Sequence, residues 1–121
     1  MLKNNILEKM SSHAQREYPK EACGIITLDF EYIPCKNISR TPKTHFILDP
    51  ISILTHESNI WGFFHSHPGS ENPLPSEQDI HSTVFSEYRF IVGFKDKFYL
   101  YWSDNGFLRY EPINEDYFNN Q

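Results

Sequence analysis

A short and nearly all-apolar run at residues 22–28 constrains the fold of this chain more than any other feature. Its composition is typical of a strand that is buried on both faces of a sheet, and it fits an exposed edge strand poorly. Residues 60–65 have the same apolar character and predict a strong central strand. The predicted fold is therefore organised around a buried sheet.

The rest of the sequence predicts further helices and strands before, between and after these two apolar runs. Apolar residues recur every four positions from Leu2 to Tyr18 and predict an amphipathic helix, which Pro19 ends because it biases Tyr18 away from helix. The order predicts an α/β fold in which helices pack on a mixed sheet. The other predicted elements are strands at 32–37, with Pro34 at an edge, and at 44–48, a short helix capped by Asp49, a helix of about a dozen residues opened by Ser76, a strand at 90–94, and a hairpin at 98–103 and 107–110 around Asn105 and Gly106.

The chain length of 121 residues fits one domain, because domains usually take roughly 100–200 residues. We expect this domain to span residues 1–121, with a core at about 2–111 and a loosely attached tail at 112–121.

Charge and apolar patterning exclude several classes of partner. The formal net charge is −5, and no basic run could neutralise a series of phosphates, so we expect no nucleic-acid partner. The longest mainly apolar stretch, residues 60–64, is far shorter than the roughly 20 residues that span a bilayer. The amino terminus has no signal-peptide core, so we expect a cytoplasmic protein in which Cys23 and Cys35 are free thiols.

The chemistry is concentrated where the central strand at 60–65 ends. Residues two apart in a strand point to the same side, so His65 and His67 can present two imidazoles in one direction. Residues 68–75 contain three prolines and predict a loop that folds the next helix back, which brings Asp79 towards the histidines. Two nitrogens and one carboxylate oxygen leave a fourth tetrahedral position open, as catalytic zinc requires.

Simpler interpretations of the same residues stay open. A histidine pair at a strand end is often a surface or core feature, and Ser76 with Asp79 fits a helix capping box that needs no catalysis. The cap and the metal site are compatible, because a cap fixes the first turn from which Asp79 would reach the metal. His13, His45 and His81 carry no pattern that indicates a metal role.

The motif resembles that of the JAB/MPN/JAMM metalloproteases, in which a Glu precedes His-x-His-Pro, seven spacer residues and Ser-x-x-Asp. Here His65-Ser66-His67-Pro68, the spacer at 69–75 and Ser76-Glu77-Gln78-Asp79 match in type and spacing, and Glu21 is similar to the upstream Glu. The resemblance covers roughly residues 2–110 and implies a cytidine-deaminase-like α-β-α sandwich with a mixed central sheet.

The resemblance also implies the site. One zinc ion per chain would be held by His65, His67 and Asp79, with Glu21 as general acid and base and Ser76 as hydrogen-bond donor to the oxyanion. A nucleophilic role for Cys23 is disfavoured, because a thiol in an apolar strand behaves as a small hydrophobe.

The family's activity implies hydrolysis of a peptide or isopeptide bond in a protein or peptide substrate. The substrate would be the tail of a ubiquitin-like or sulfur-carrier protein, or a phage tail-assembly protein, since the chain looks most like small prokaryotic and tail-assembly members. The alternative is a non-catalytic scaffold or assembly module of MPN type. The oligomeric state stays open, as does whether loop 68–75 is a mobile lid or a fixed wall.

Overall fold

Six strands form a single mixed sheet in the structure, a computed structural model that describes residues 5–121. The elements in chain order are α1 (Ile6–Glu17), β1 (Cys23–Thr27), β2 (Tyr32–Cys35), α2 (Pro50–His56) with a 3-10 turn (Glu57–Asn59), β3 (Ile60–Ser66), α3 (Glu77–Thr83), β4 (Arg89–Phe94), β5 (Lys97–Asp104), β6 (Phe107–Ile113) and α4 (Glu115–Asn119). The strand order is β2-β1-β3-β4-β5-β6. The pair β3/β4 is parallel and the other neighbouring pairs are antiparallel.

The two apolar runs occupy the positions that the sequence predicts. Every residue of β1 is buried, and β1 and β3 are neighbours in the interior of the sheet. The strand that contains Pro34, β2, lies at the edge, where the missing N–H of proline breaks no ladder hydrogen bond. These predictions are confirmed.

Helices cover both faces of the sheet. Apolar residues of α1 and Phe118 of α4 pack with Ile26, Phe64 and Ile91 on one face. Ile53 of α2 packs on the opposite face, beside Ile25 and Phe63. Helix α3 lies on that second face, since its Asp79 contacts His65 of β3. The predicted α-β-α sandwich with a mixed central sheet is confirmed.

Local chemistry sets the ends of several elements as predicted. Helix α1 ends at Glu17, and Tyr18 has an extended backbone before Pro19. The side chain of Asp49 caps α2 by accepting the amide of Ile51. Asn105 and Gly106 both have positive φ in the turn between β5 and β6. The part of the predicted first helix at residues 2–4 lies outside the described residues.

The predicted strand at residues 44–48 is wrong. The segment forms only an isolated bridge between Asn37 and Leu48. The carbonyl of Thr41 accepts the amides of Thr44 and His45, so the chain turns where a strand would have to run straight.

The third helix is also shorter than the predicted dozen residues, since α3 has seven. The chain leaves the helix after Thr83, because it must return to begin β4 at Arg89. Tyr88 therefore packs edge-on against Phe63 from the connecting segment instead of from the helix.

The expected loose attachment of residues 112–121 is wrong as well. Strand β6 continues to Ile113 and is followed by α4. Phe118 of α4 is only 2% exposed and contacts Phe30 and Trp61, with ring centroids 5.2 and 5.9 Å apart. The end of the chain is thus part of the core. Among residues 5–121, no helix combines the length and the apolar character that a membrane span needs.

Candidate metal centre

The end of β3 presents two imidazoles to the same side of the sheet. The Nε2 atoms of His65 and His67 lie 3.2 Å apart. His65 is 2% exposed, and its ring stacks on that of Phe46 with centroids 4.5 Å apart. The stacking and the burial fix the direction of the His65 ring, whereas His67 lies nearer the surface.

The third group comes from the first turn of α3. Ser76 and Asp79 form a reciprocal capping box, in which Ser76 Oγ accepts the amide of Asp79 at 3.1 Å and Asp79 Oδ2 accepts the amide of Ser76 at 2.8 Å. The same Oδ2 lies 3.0 Å from Nε2 of His65 and 3.3 Å from Nε2 of His67. Asp79 therefore takes part in both the capping box and the cluster with the two histidines, so the structural and the metal-binding interpretations of this residue hold together.

The three donor atoms have the spacing that a tetrahedral metal ion needs. Zinc bonds to nitrogen and oxygen are about 2.0–2.1 Å long, so neighbouring ligand atoms in a tetrahedron lie about 3.3 Å apart. The three separations here are 3.0, 3.2 and 3.3 Å. These residues can thus hold a zinc ion and leave a fourth coordination position open. Within residues 5–121, they form a group of side chains with the donor atoms and spacing of a metal site.

The protonation states of two of these groups also suit metal binding. Burial alone would raise the pKa of the Asp79 carboxyl, but hydrogen bonds from His65, His67 and the Ser76 amide outweigh it and hold the pKa well below its usual range. Burial lowers the pKa of His65, with Asp79 opposing that shift. A carboxylate and a neutral imidazole are the forms that bind metal.

Glu21 lies beside this cluster. It is 7% exposed and lines a cleft of about 160 Å³ together with His67, Ser76 and Asp79. Burial raises the pKa of Glu21 to about 7, His67 partly opposes the shift, and Asp79 adds to it. The structure thus brings together all five residues that the sequence predicts for the site, since His65 contacts Asp79 and the other four line the cleft. Glu21 and Asp79 are 58 positions apart in the sequence.

The cleft has a second wall that the sequence does not indicate. It is lined by Thr44, His45 and Phe46, which lie in the segment that does not form the predicted strand, and Tyr101 of β5 also lines the cleft. A contact between Phe46 and His65 has no local sequence signal, because it depends on how residues 38–47 fold back over the sheet.

Loop 68–75 is attached to strand β5 by two hydrogen bonds. The hydroxyl of Tyr99 donates to Oδ1 of Asn72 at 2.7 Å, and Nζ of Lys97 donates to the carbonyl of Glu71 at 2.9 Å. Pro73 is fully buried. Strand β5 therefore holds the connection between the two histidines and the capped helix.

Cys23 does not take part in the cleft as a nucleophile. Its side chain is 0% exposed, and burial raises the pKa of its thiol to about 12. A thiol with that pKa carries almost no thiolate at neutral pH.

Comparison with known protein families gives a match over most of the chain. The family described as prokaryotic homologs of the JAB domain matches residues 3–97. The solution structure of a Desulfitobacterium hafniense protein has the same fold, with a TM-score of 0.67 at 23% identity, and the likeness covers 92% of this chain and 87% of that one.

Three curated proteins are similar in sequence. The desampylase of Haloferax volcanii is 28% identical over 103 residues, which is 74% of this chain and 73% of that protein. Tail tip assembly protein K of Escherichia phage N15 is 34% identical over 85 residues, 64% of this chain but only 34% of that protein. The Thermus thermophilus protein named "Probable TtuB-protein conjugate cleaving protease" is 32% identical over 85 residues, 62% of this chain and 57% of that protein. The chain thus spans only about a third of the phage relative's length.

Proposed function

The chain belongs to the family of prokaryotic homologues of the JAB domain, and from that premise we propose that it is a zinc-dependent metallopeptidase of JAMM type. It would hydrolyse a peptide or isopeptide bond in a protein substrate. The observation that carries the proposal is the convergence of Nε2 of His65, Nε2 of His67 and Oδ2 of Asp79 within 3.0–3.3 Å of one another.

We assign the metal to these three side chains, one zinc ion per chain. When bound, zinc polarises a carbonyl oxygen and lowers the pKa of coordinated water to about 7. The protein's part is to hold the ligands. Strand β3 directs His65, which Phe46 covers, and the amide of His67 directly after the strand donates to the Gly93 carbonyl of β4. The capping box directs Asp79.

Glu21 is the proposed general acid and base. A group whose pKa is about 7 can take a proton and return it at neutral pH, and burial gives the Glu21 carboxyl this value. Glu21 would accept a proton from the attacking water and deliver it to the nitrogen of the leaving amine.

Ser76 is the proposed donor to the oxyanion. Its Oγ accepts the amide of Asp79, an arrangement in which the hydroxyl hydrogen can point into the cleft. A hydrogen bond from this hydroxyl to the carbonyl oxygen would strengthen as negative charge develops in the transition state.

The size of the cleft indicates the shape of the substrate. A space of about 160 Å³ takes a short extended segment but no folded domain, so the scissile bond must lie in an exposed tail. The desampylase and the conjugate-cleaving protease among the relatives support a tail that joins a ubiquitin-like protein to its target. The phage relative supports a second setting, in which the tail belongs to a protein of phage tail assembly.

The test is the substitution Glu21→Gln, assayed on a fusion whose ubiquitin-like domain is joined to its partner by a peptide or isopeptide bond. We expect cleavage to be abolished while the zinc content stays at the wild-type value, because no ligand is changed. Glu111→Gln is the matched control, since Glu111 is exposed on β6 at the far edge of the sheet. Cleavage retained in Glu21→Gln would overturn the assignment of the base. If His67→Ala left both zinc content and biological activity unchanged, a non-catalytic scaffold would be favoured.

A further inference from the structure

Glu21 lies outside every helix and strand, between α1 and β1. Its position therefore depends on hydrogen bonds from other parts of the chain. Its amide donates to the carbonyl of Pro42 at 2.7 Å, and its own carbonyl accepts Nδ2 of Asn37 at 2.9 Å. The next amide, that of Ala22, donates to the buried Oγ of Ser66 at 2.8 Å. The backbone at the proposed base is thus held by groups distant in sequence.

Asn37 does more than hold Glu21. Its Nδ2 also donates to the carbonyl of His45 at 3.1 Å, and its Oδ1 accepts the amides of Ser39 at 3.0 Å and Ile47 at 3.1 Å. One side chain therefore joins the backbone of Glu21 to both ends of the segment 38–47.

That segment forms the second wall of the cleft. Residues 38–47 form neither a helix nor a strand, and Phe46 within them has its ring stacked on that of His65. Since no regular ladder supports this wall, its distance from Glu21 is set chiefly by the amide of Asn37 and by the bond between Glu21 and Pro42.

We propose that Asn37 is a positioning residue, which locks the backbone of Glu21 to the segment 38–47 so that the base and the wall covering His65 keep one geometry. The role in catalysis rests on the proposed function, whereas the lock itself does not. A misplacement of about 1 Å in a catalytic group can reduce a rate by on the order of 10²-fold, so a loosened Glu21 should lower turnover.

The substitution Asn37→Asp distinguishes the hydrogen bonds that the Asn37 side chain donates from those that it accepts. An aspartate keeps an oxygen for the amides of Ser39 and Ile47, but it has no N–H for the carbonyls of Glu21 and His45. Asn59→Asp is the matched control, because Asn59 precedes β3 at the end of the sheet away from the cleft and accepts the amide of Leu28. Asn37→Ser lacks Nδ2 and carries no charge. It replaces Asn37→Asp if that variant does not fold, and only the Glu21 amide and kcat are then compared with wild type, because the shorter serine side chain also loses the acceptor of the Ile47 amide.

The first readout is amide hydrogen exchange and needs no substrate. In Asn37→Asp we expect the amide of Glu21 to exchange at least about tenfold faster, because the segment that carries its acceptor, the Pro42 carbonyl, is no longer held to Glu21 by the Asn37 side chain. The amide of Ile47 should keep its protection, since an aspartate oxygen still accepts it. Equal acceleration at both amides, or no change at Glu21, would overturn the lock.

The second readout is kinetic. We expect kcat to fall by about 10- to 100-fold with KM little changed and zinc content intact, and Asn59→Asp to behave as wild type. An unchanged kcat in a variant whose Glu21 amide has lost protection would overturn the positioning role. Wild-type protein that cleaves no substrate would instead contradict the proposed function and leave the exchange result as the measure of the lock.

Discussion

Oδ2 of Asp79 accepts the backbone amide of Ser76 at 2.8 Å, and this same oxygen lies 3.0 Å from Nε2 of His65. The bond that begins helix α3 therefore also directs the carboxylate towards the two imidazoles. Asp79 is the third residue of α3, and in a capping box the side chain at this position turns back towards the start of the helix. In this fold the start of α3 lies beside the end of β3, which carries His65.

The capping box predicts a double effect for Ser76→Ala. Loss of the cap should lower the free energy of unfolding by about 0.5–2 kcal/mol, as measured in urea. The backbone amide of residue 76 still bonds Oδ2 of Asp79, but loss of the hydroxyl releases the amide of Asp79 and loosens the helical turn that carries this ligand. Zinc affinity should therefore fall by about 10-fold in competition with a chelator. Ser82→Ala is the control, because the Ser82 hydroxyl bonds only the Gln78 carbonyl of its own helix. Zinc affinity equal to wild type would show that the Ser76 hydroxyl does not help to direct Asp79.

The site could be predicted from sequence where its geometry is local. His65 lies in β3 and His67 follows the strand directly, and Ser76 and Asp79 share the capped first turn of α3, so spacing alone relates each pair. Glu21 required the family resemblance, because nothing near it in the sequence indicates its contacts.

The contacts of Asn37 and Phe46 could not be predicted. They arise from the fold of residues 38–47, where the sequence pattern predicted a strand at 44–48. Backbone hydrogen bonds to the Thr41 carbonyl, with the Asn37 side chain accepting the Ile47 amide, make a turn there instead. The burial of Phe118 has the same cause, since it depends on Phe30 and Trp61, which are distant in sequence.

Phe118 provides a test of the role of the carboxy-terminal helix. It is 2% exposed within the core, so Phe118→Ala should lower the free energy of unfolding by about 3–5 kcal/mol. Phe85 is 94% exposed, and Phe85→Ala should change it by less than about 0.5 kcal/mol. Urea unfolding of both variants checks the pair. Similar small effects would mean that α4 is not part of the core in solution.

Glu115 of α4 caps the first helix. Its Oε1 accepts the amides of Leu7 at 2.6 Å and Glu8 at 3.3 Å, although more than a hundred residues separate them in sequence. Glu115→Ala should therefore cost about 0.5–2 kcal/mol of unfolding free energy. Glu115→Gln should cost less, since it keeps an acceptor and loses only the charge at the helix start. Glu111→Ala, on the exposed strand β6, should be close to wild type, and an equal loss there would argue against the cap.

His13 makes stability depend on pH. Its Nδ1 lies 2.7 Å from the Tyr32 hydroxyl, and burial lowers the pKa of its imidazole below 6.5, with Glu17 opposing and Arg16 adding to the shift. The unfolded chain therefore binds a proton at higher pH than the folded one, and this contribution to stability is lost as pH falls below about 6.5.

The stability difference between wild type and His13→Gln should thus shrink from about pH 7.5 to about pH 5.5 in urea unfolding. A difference that stays constant would mean that folding leaves the pKa of His13 unchanged, and a difference that grows towards low pH would mean that folding favours the protonated imidazole.

Zinc content tests the central claim most directly. Elemental mass spectrometry of the purified protein should find about one zinc ion per chain, and the double variant His65→Ala/His67→Ala should have lost it. His81→Ala is the control and should keep the metal, because His81 is exposed on α3 outside the cluster. Wild-type protein without zinc after resupply at neutral pH, or a double variant that keeps its zinc, would contradict the account.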